Sequence, residues 1–191
     1  SMQNGAARRK DMAADTSVSI RPQLPENHEG KQEYAFVTPY FCSPHDSKTL
    51  YHAGNYVFKS TDRGDHWKLI SPDLSESNLT ENPSTTAGAM AESPLRKGLL
   101  YMGTDRGLFW TSKDDGKTWI ESKHNFPDEY IRSICPSNHD ESRVYMAITG
   151  LNHDDMNNYL YVSEDYGRSW SSISNNLPNE VANVIVEDPA D

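Results

Sequence analysis

With only two cysteines in 191 residues, the chain cannot be a disulfide scaffold, and Cys42 and Cys135 fit no metal-binding spacing. Each sits in an apolar, strand-like stretch, which predicts buried free thiols. No run approaches the ~20 consecutive apolar residues of a membrane span, so no membrane insertion is expected. No charged-then-apolar leader opens the chain either. Basic surface is also scarce: 18 Lys and Arg stand against 28 Asp and Glu, a formal net charge of −10. Apart from Arg8-Arg9-Lys10 the basic residues are scattered, whereas phosphate binding needs them clustered, and this excludes a nucleic-acid partner. The acidic balance reads as a solvated surface. Apolar residues reach only 35%, but aromatics make up 10% and carry much of the burial. Ser1-Met2 reads as a tag scar, and residues 1–15 as tag-derived or disordered.

What the chain does have is a repeat, and repeats decide architecture before anything else. The pattern Ser-x-Asp-x-Gly-x-x-Trp occurs three times, as Ser60-x-Asp62-x-Gly64-x-x-Trp67, Ser112-x-Asp114-x-Gly116-x-x-Trp119 and Ser163-x-Asp165-x-Gly167-x-x-Trp170. The boxes start 52 and 51 residues apart and take three of the four tryptophans. Their flanks repeat as well: Thr49-Leu50-Tyr51, Leu99-Leu100-Tyr101 and Arg143-Val144-Tyr145 each precede a second β-forming run that leads into the box. Short runs broken by turn residues are strands, and helices of ordinary length have no place to sit. Four short strands per ~50-residue unit is the pattern of a propeller blade.

The expected fold is therefore all-β: a β-propeller segment of four-stranded antiparallel blades, incomplete, with about three blades plus partial blades at both ends. The blades fall at about 34–72, 88–123 and 130–175 within a propeller fragment spanning 16–191. The segment 16–22 reads as the last strand of one further blade, and 182–191 as the opening strand of another. Each box has a mechanical role as the turn between third and fourth strands. The aspartate bonds backbone N–H groups two residues on, the glycine takes a positive φ, and the tryptophan, expected to be mostly buried, pins the hairpin to its blade.

At these residues the chain resembles the Asp-box, or BNR-repeat, propellers, which include sialidases, xyloglucan-cleaving enzymes, the sortilin luminal domain and photosystem assembly factors. The phrases Ser43-Pro44-His45-Asp46, Ile70-Ser71-Pro72-Asp73-Leu74 and Gly103-Thr104-Asp105-Arg106-Gly107 are similar to the sortilin-like, BNR-repeat "glycosyl hydrolase" proteins of bacteria. That resemblance implies a larger protein that is extracellular, periplasmic or attached to the cell surface. The stretch from Asn82 to Met90 is shorter than the connection usual in that family.

Function in such a scaffold belongs to loops. Two candidate binding sites lie in second-to-third connections. One is His153-Asp154-Asp155 in the insert 151–158, where a histidine beside two carboxylates suits a cation or a sugar hydroxyl, although a solvated turn is the plainer reading. The other is Asp105-Arg106, an acid and a base placed to orient a polar ligand, with a turn-closing aspartate as the plainer reading. His45-Asp46 and His139-Asp140 look like catalytic pairs until their shared register marks them as repeat chemistry. No catalytic residue, resident metal or cofactor is assigned: 28 acidic residues nominate no particular carboxylate pair, and no arginine cluster of the sialidase kind stands out. Asn78-Leu79-Thr80 matches a glycosylation sequon, which means nothing in a bacterial protein. The leading expectation is a non-catalytic recognition or scaffolding module that binds a glycan or protein through inter-blade loops. The alternative is part of a glycoside hydrolase, sialidase- or xyloglucanase-like, whose site is completed by further blades; a third is a purely structural module. Open blade edges also imply self-association.

Overall fold

The computed structural model describes residues 3–75, 85–123 and 125–190. The glycosylation sequon and part of the shortened stretch before Met90 lie outside them. The described residues form three four-stranded antiparallel sheets in meander order. The first blade is β3 (Tyr40–Ser43), β4 (Asp46–Ala53), β5 (Val57–Ser60) and β6 (Lys68–Leu69). The second is β7 (Ala87–Glu92), β8 (Leu100–Thr104), β9 (Phe109–Ser112) and β10 (Ile120–Glu121). The third is β11 (Tyr130–Pro136), β12 (Val144–Gly150), β13 (Asp155–Ser163) and β14 (Ser171–Ser172). The only helical turn among the described residues is a 3-10 turn at Leu151–His153. The chain is a β-propeller segment.

The core lies between the sheets. Strand β8 is buried along its whole length because a blade covers each of its faces. Period-2 alternation sends Leu100 and Met102 into the cluster shared with Tyr51, Val57 and Ile70 of the first blade, and sends Tyr101 into the cluster shared with Ile131, Met146 and Trp170 of the third. On β9, Phe109 and Trp110 divide the same way.

Residues 1–15 are not a disordered lead throughout. β1 (Arg8–Asp11) pairs antiparallel with β2 (Thr16–Ser19), so the strand expected at 16–22 comes with a partner. The sequence hid this because both strands are polar and mostly exposed; only Ala7 and Ile20 beside them pack, against Leu50 and Trp67. Residues 182–190 form no strand, yet they hold the seat of one. Glu187 accepts from the hydroxyls of Ser137 (2.8 Å) and Tyr145 (3.1 Å), and the Asp188 carbonyl lies 2.8 Å from His139 Nε2. Glu92 and Ser93, which close and follow β7, receive Ser43, Tyr51 and His45 in the same way. His45 and His139 thus make equivalent bonds from the turn between first and second strands to the segment that follows their blade.

Two further expectations need correction. Cys42 is exposed and Cys135 only half-buried, because each shares a sheet face with its cross-strand partner, Leu50 or Tyr145, and among the described residues no four-stranded sheet packs on that face. Of the box tryptophans only Trp170 is buried; Trp67 and Trp119 are half-buried. None is confined to its own blade. Trp67 Nε1 donates to the Ile20 carbonyl (2.8 Å), Trp119 to that of Ile70 (2.9 Å) and Trp170 to Ser122 Oγ (3.2 Å). Each acceptor directly follows the last strand of the preceding sheet, so the ring fastens one blade to the one before.

Candidate functional site

In a meander blade the turns alternate between two faces. The face carrying the boxes is uniform. In each box the serine hydroxyl accepts the glycine N–H at 2.8 Å. The aspartate accepts the N–H four residues on, from His66, Thr118 and Ser169, each at 2.9 Å, where two residues on was expected. The longer reach follows from a backbone that turns left-handed twice: Arg63, Asp115 and Tyr166 have φ of 63°, 62° and 66°, followed by Gly64, Gly116 and Gly167 at 90°, 83° and 82°. Two consecutive positive φ values are the demand of the tight hairpin turn matched to strand twist. The bonds hold the Asp62 carboxyl well below the usual range, first through the His66 N–H and then its ring, and the Thr118 hydroxyl and N–H hold Asp114 low. Burial opposes the same effect at Asp165, where the Ser169 hydroxyl and N–H nonetheless win. All twelve box residues lie within these turns or, as the tryptophans, in the bonds to the preceding sheet.

The opposite face differs from blade to blade. In the first blade the turn at Asn55 is sealed: its side-chain amide donates to Lys31 O and Asp73 Oδ2 (both 2.9 Å), and its oxygen accepts from Glu33 N (2.8 Å). In the second, Thr104 Oγ1 accepts from Leu108 N (3.0 Å), and Gly107 has φ +81°. A Cβ on Gly107 would lie 2.7 Å from Asp128 Cα, so glycine is what lets the next inter-blade link pack onto this turn. In the third, the 3-10 turn ends on Asp154, at φ 57°.

The turns of the second and third blades border an open cleft of about 500 Å³. It brings together Asp105, Arg106 and His153, two sites that the sequence had kept apart. Asp154 and Asp155 do not line it. Asp155 accepts from Asn157 N (2.9 Å) and the Tyr159 hydroxyl (2.7 Å), in that order the causes that lower its pKa. His153 Nδ1 meets Glu129 at 2.8 Å and not the neighbouring aspartates. Among the described residues no group of three His, Cys, Asp or Glu side chains is placed to hold a metal ion. Asp105 accepts from the hydroxyls of Thr85 and Thr86 and from Thr86 N (3.0 Å), so it ties the turn to the segment before β7 and does not close the turn itself, which Thr104 does; it also borders the cleft.

Sequence reasoning missed the remaining wall. Phe36 and Val37, 63% and 50% exposed, come from the link before the first blade, Asp128 from the link before the third, and Tyr130 and Arg132 from β11. One signal was available: Arg132 places a charge inside a β-forming run, Tyr130-Ile131-x-Ser133-Ile134.

No family model matches the chain, and no curated protein does. Among solved structures it is similar to an ancestral GH74 enzyme, with a TM-score of 0.54 and 19% identity over 71% of this chain and 18% of that one. The GH74 enzyme of Niastella koreensis superposes with a TM-score of 0.53 and 18% identity, over 76% of this chain and 23% of the enzyme. YCF48 bound to D1 peptide overlaps 92% of this chain and 48% of its own, at 15% identity and a TM-score of 0.49. The GH74 enzymes are propellers, and likeness at such identity shows the fold alone. The chain spans about a fifth of the length of the two GH74 enzymes.

Proposed function

We propose that this propeller segment is a recognition or scaffolding module of a larger secreted or surface protein, binding a glycan or protein through its inter-blade loops. Within the propellers we read it as one of the Asp-box group, a reading supported by three boxes that make the same bonds. The observation that carries the functional reading is the contrast between faces. Bonds on the box face recur from blade to blade, while the opposite face assembles unlike turns and links around one cleft with an exposed aromatic ring. A glycan array, with Phe36→Ala beside the box-face variant His66→Ser, tests it: binding is lost in the first and kept in the second. Equal binding by both variants would remove the cleft from the account.

The second reading is part of a glycoside hydrolase. Its specific support is that Asp105 and Asp128 both line the cleft, as a pair of carboxyl groups flanking a glycosidic bond would. Against it, both oxygens of Asp105 already accept hydrogen bonds from Thr85 and Thr86, so the carboxylate is held by its own blade.

A further inference from the structure

The cleft holds two cations that the fold does not use. Arg106 is the exposed tip of the second blade's turn and makes no ion pair among the described residues. Arg132 owes its position to a bulge. The pairing of β11 with β12 shifts register between Ile131 and Ser133, so Arg132 is the residue without a cross-strand partner. A bulge at the rim of a sheet re-aims a side chain. Here it leaves Ile131 fully buried while Arg132 stands exposed, its guanidinium 5.4 Å from the centre of the Tyr130 ring. The aromatic ring limits the motion of a planar fork whose geometry matches a carboxylate.

We propose that the cleft takes an oligosaccharide bearing a carboxylate, a uronic-acid unit, with Arg106 and Arg132 as its anion partners and Phe36 as the stacking surface for a sugar ring. This rests on the recognition reading above and narrows it to a class of ligand. Three features select that class. The Phe36 ring is 63% exposed, a flat apolar face suited to the C–H face of a pyranose. Asp128 and Asn152 add acceptors for sugar hydroxyls on the same wall. Two arginines against two aspartates leave the wall nearly neutral, which suits one carboxylate among many hydroxyls. A run of acidic peptide side chains would meet Asp128 as a like charge.

The test is calorimetric titration with aldotetraouronic acid, a xylotriose that bears one glucuronic-acid unit, its methyl ester and hexaglutamate. The ester keeps every ring and hydroxyl and removes only the charge. The acid form binds, and the ester binds about tenfold more weakly or less. Arg106→Gln and Arg132→Gln each lower affinity for the acid by about tenfold and leave the ester unchanged, while thermal melts confirm that both variants fold. Equal affinity for acid and ester, arginine variants without effect, tighter binding of hexaglutamate, or no binding of either sugar probe would each overturn the assignment. The broader recognition reading fails separately: glycans that bind through Phe36 regardless of charge keep it alive when the carboxylate assignment has failed.

Discussion

Three tyrosines occupy one repeat position on the second strand of successive blades, and the next blade treats them differently. Tyr51 donates to Glu92 (3.1 Å) and Tyr145 to Glu187 (3.1 Å). The third blade has Pro136 at the position of Glu92 and Glu187, and the hydroxyl of Tyr101, itself fully buried, has no partner among the described residues. Removing one oxygen by Tyr→Phe should therefore have opposite signs in adjacent blades. Tyr51→Phe deletes a hydrogen bond to a carboxylate, worth about 1.5–3 kcal/mol. Glu92 keeps Ser43 Oγ and the Gly98 N–H (2.8 Å) as donors, which places the loss at the low end, about 1.5 kcal/mol. Tyr101→Phe removes a buried polar group that gains nothing, and should stabilise by about 1 kcal/mol. For a chain of this length 1 kcal/mol moves the midpoint by about 2–4 °C. Calorimetry should then show Tyr51→Phe melting about 3–6 °C below the parent and Tyr101→Phe about 2–4 °C above it. Equal destabilisation by both would mean that Tyr101 has a partner and that the substitution of Pro136 for glutamate is without consequence.

Trp170→Ala removes a buried ring stacked edge-on against Phe109, 4.8 Å between centroids, and should cost about 3–5 kcal/mol in urea unfolding, with the half-buried Trp67 and Trp119 costing less. A Trp170→Ala midpoint equal to the parent's would end the fastener argument. His52 is buried, and that burial pushes its pKa down to about 4. The unfolded chain binds that proton below about pH 6.5 and the folded chain only near pH 4, so this contribution is complete above pH 6.5 and is lost as pH falls through that window, on the order of 3 kcal/mol. His52→Gln should flatten the slope there; an unchanged slope would assign it to other groups. Val184 and Val186 are 71% and 78% exposed on a segment seated as a strand but paired with none, and β1 pairs only with β2. Light scattering should show mass rising with concentration, and a strictly constant monomer mass would refute association through these edges.

The sequence made the three blades legible because a box is a local object: hydroxyl, carboxylate, left-handed turn and ring fall within eight residues. Its partners were not legible. That Trp119 reaches Ile70, and not its own blade, depends on how sheets stack, which no spacing within one repeat encodes. The left-handed backbone at Arg63 and Tyr166 was hidden by side chains that rarely adopt it. The candidate site was half visible. Asp105, Arg106 and His153 stood out as polar loop residues, but Phe36, Asp128 and Arg132 come from links and a bulge that only the curvature of the blades brings beside them. Asp154 and Asp155 were drawn in by composition, and their adjacency in the chain did not become a shared site.

The measurement that bears most directly on recognition without turnover is release of reducing ends from plant and host polysaccharides, read for the parent chain beside Asp105→Asn and Asp128→Asn. The account predicts no release above the protein-free control from any of the three, even for glycans that the parent retains on an array. Release by the parent that disappears in Asp128→Asn would contradict it and make the cleft an active site.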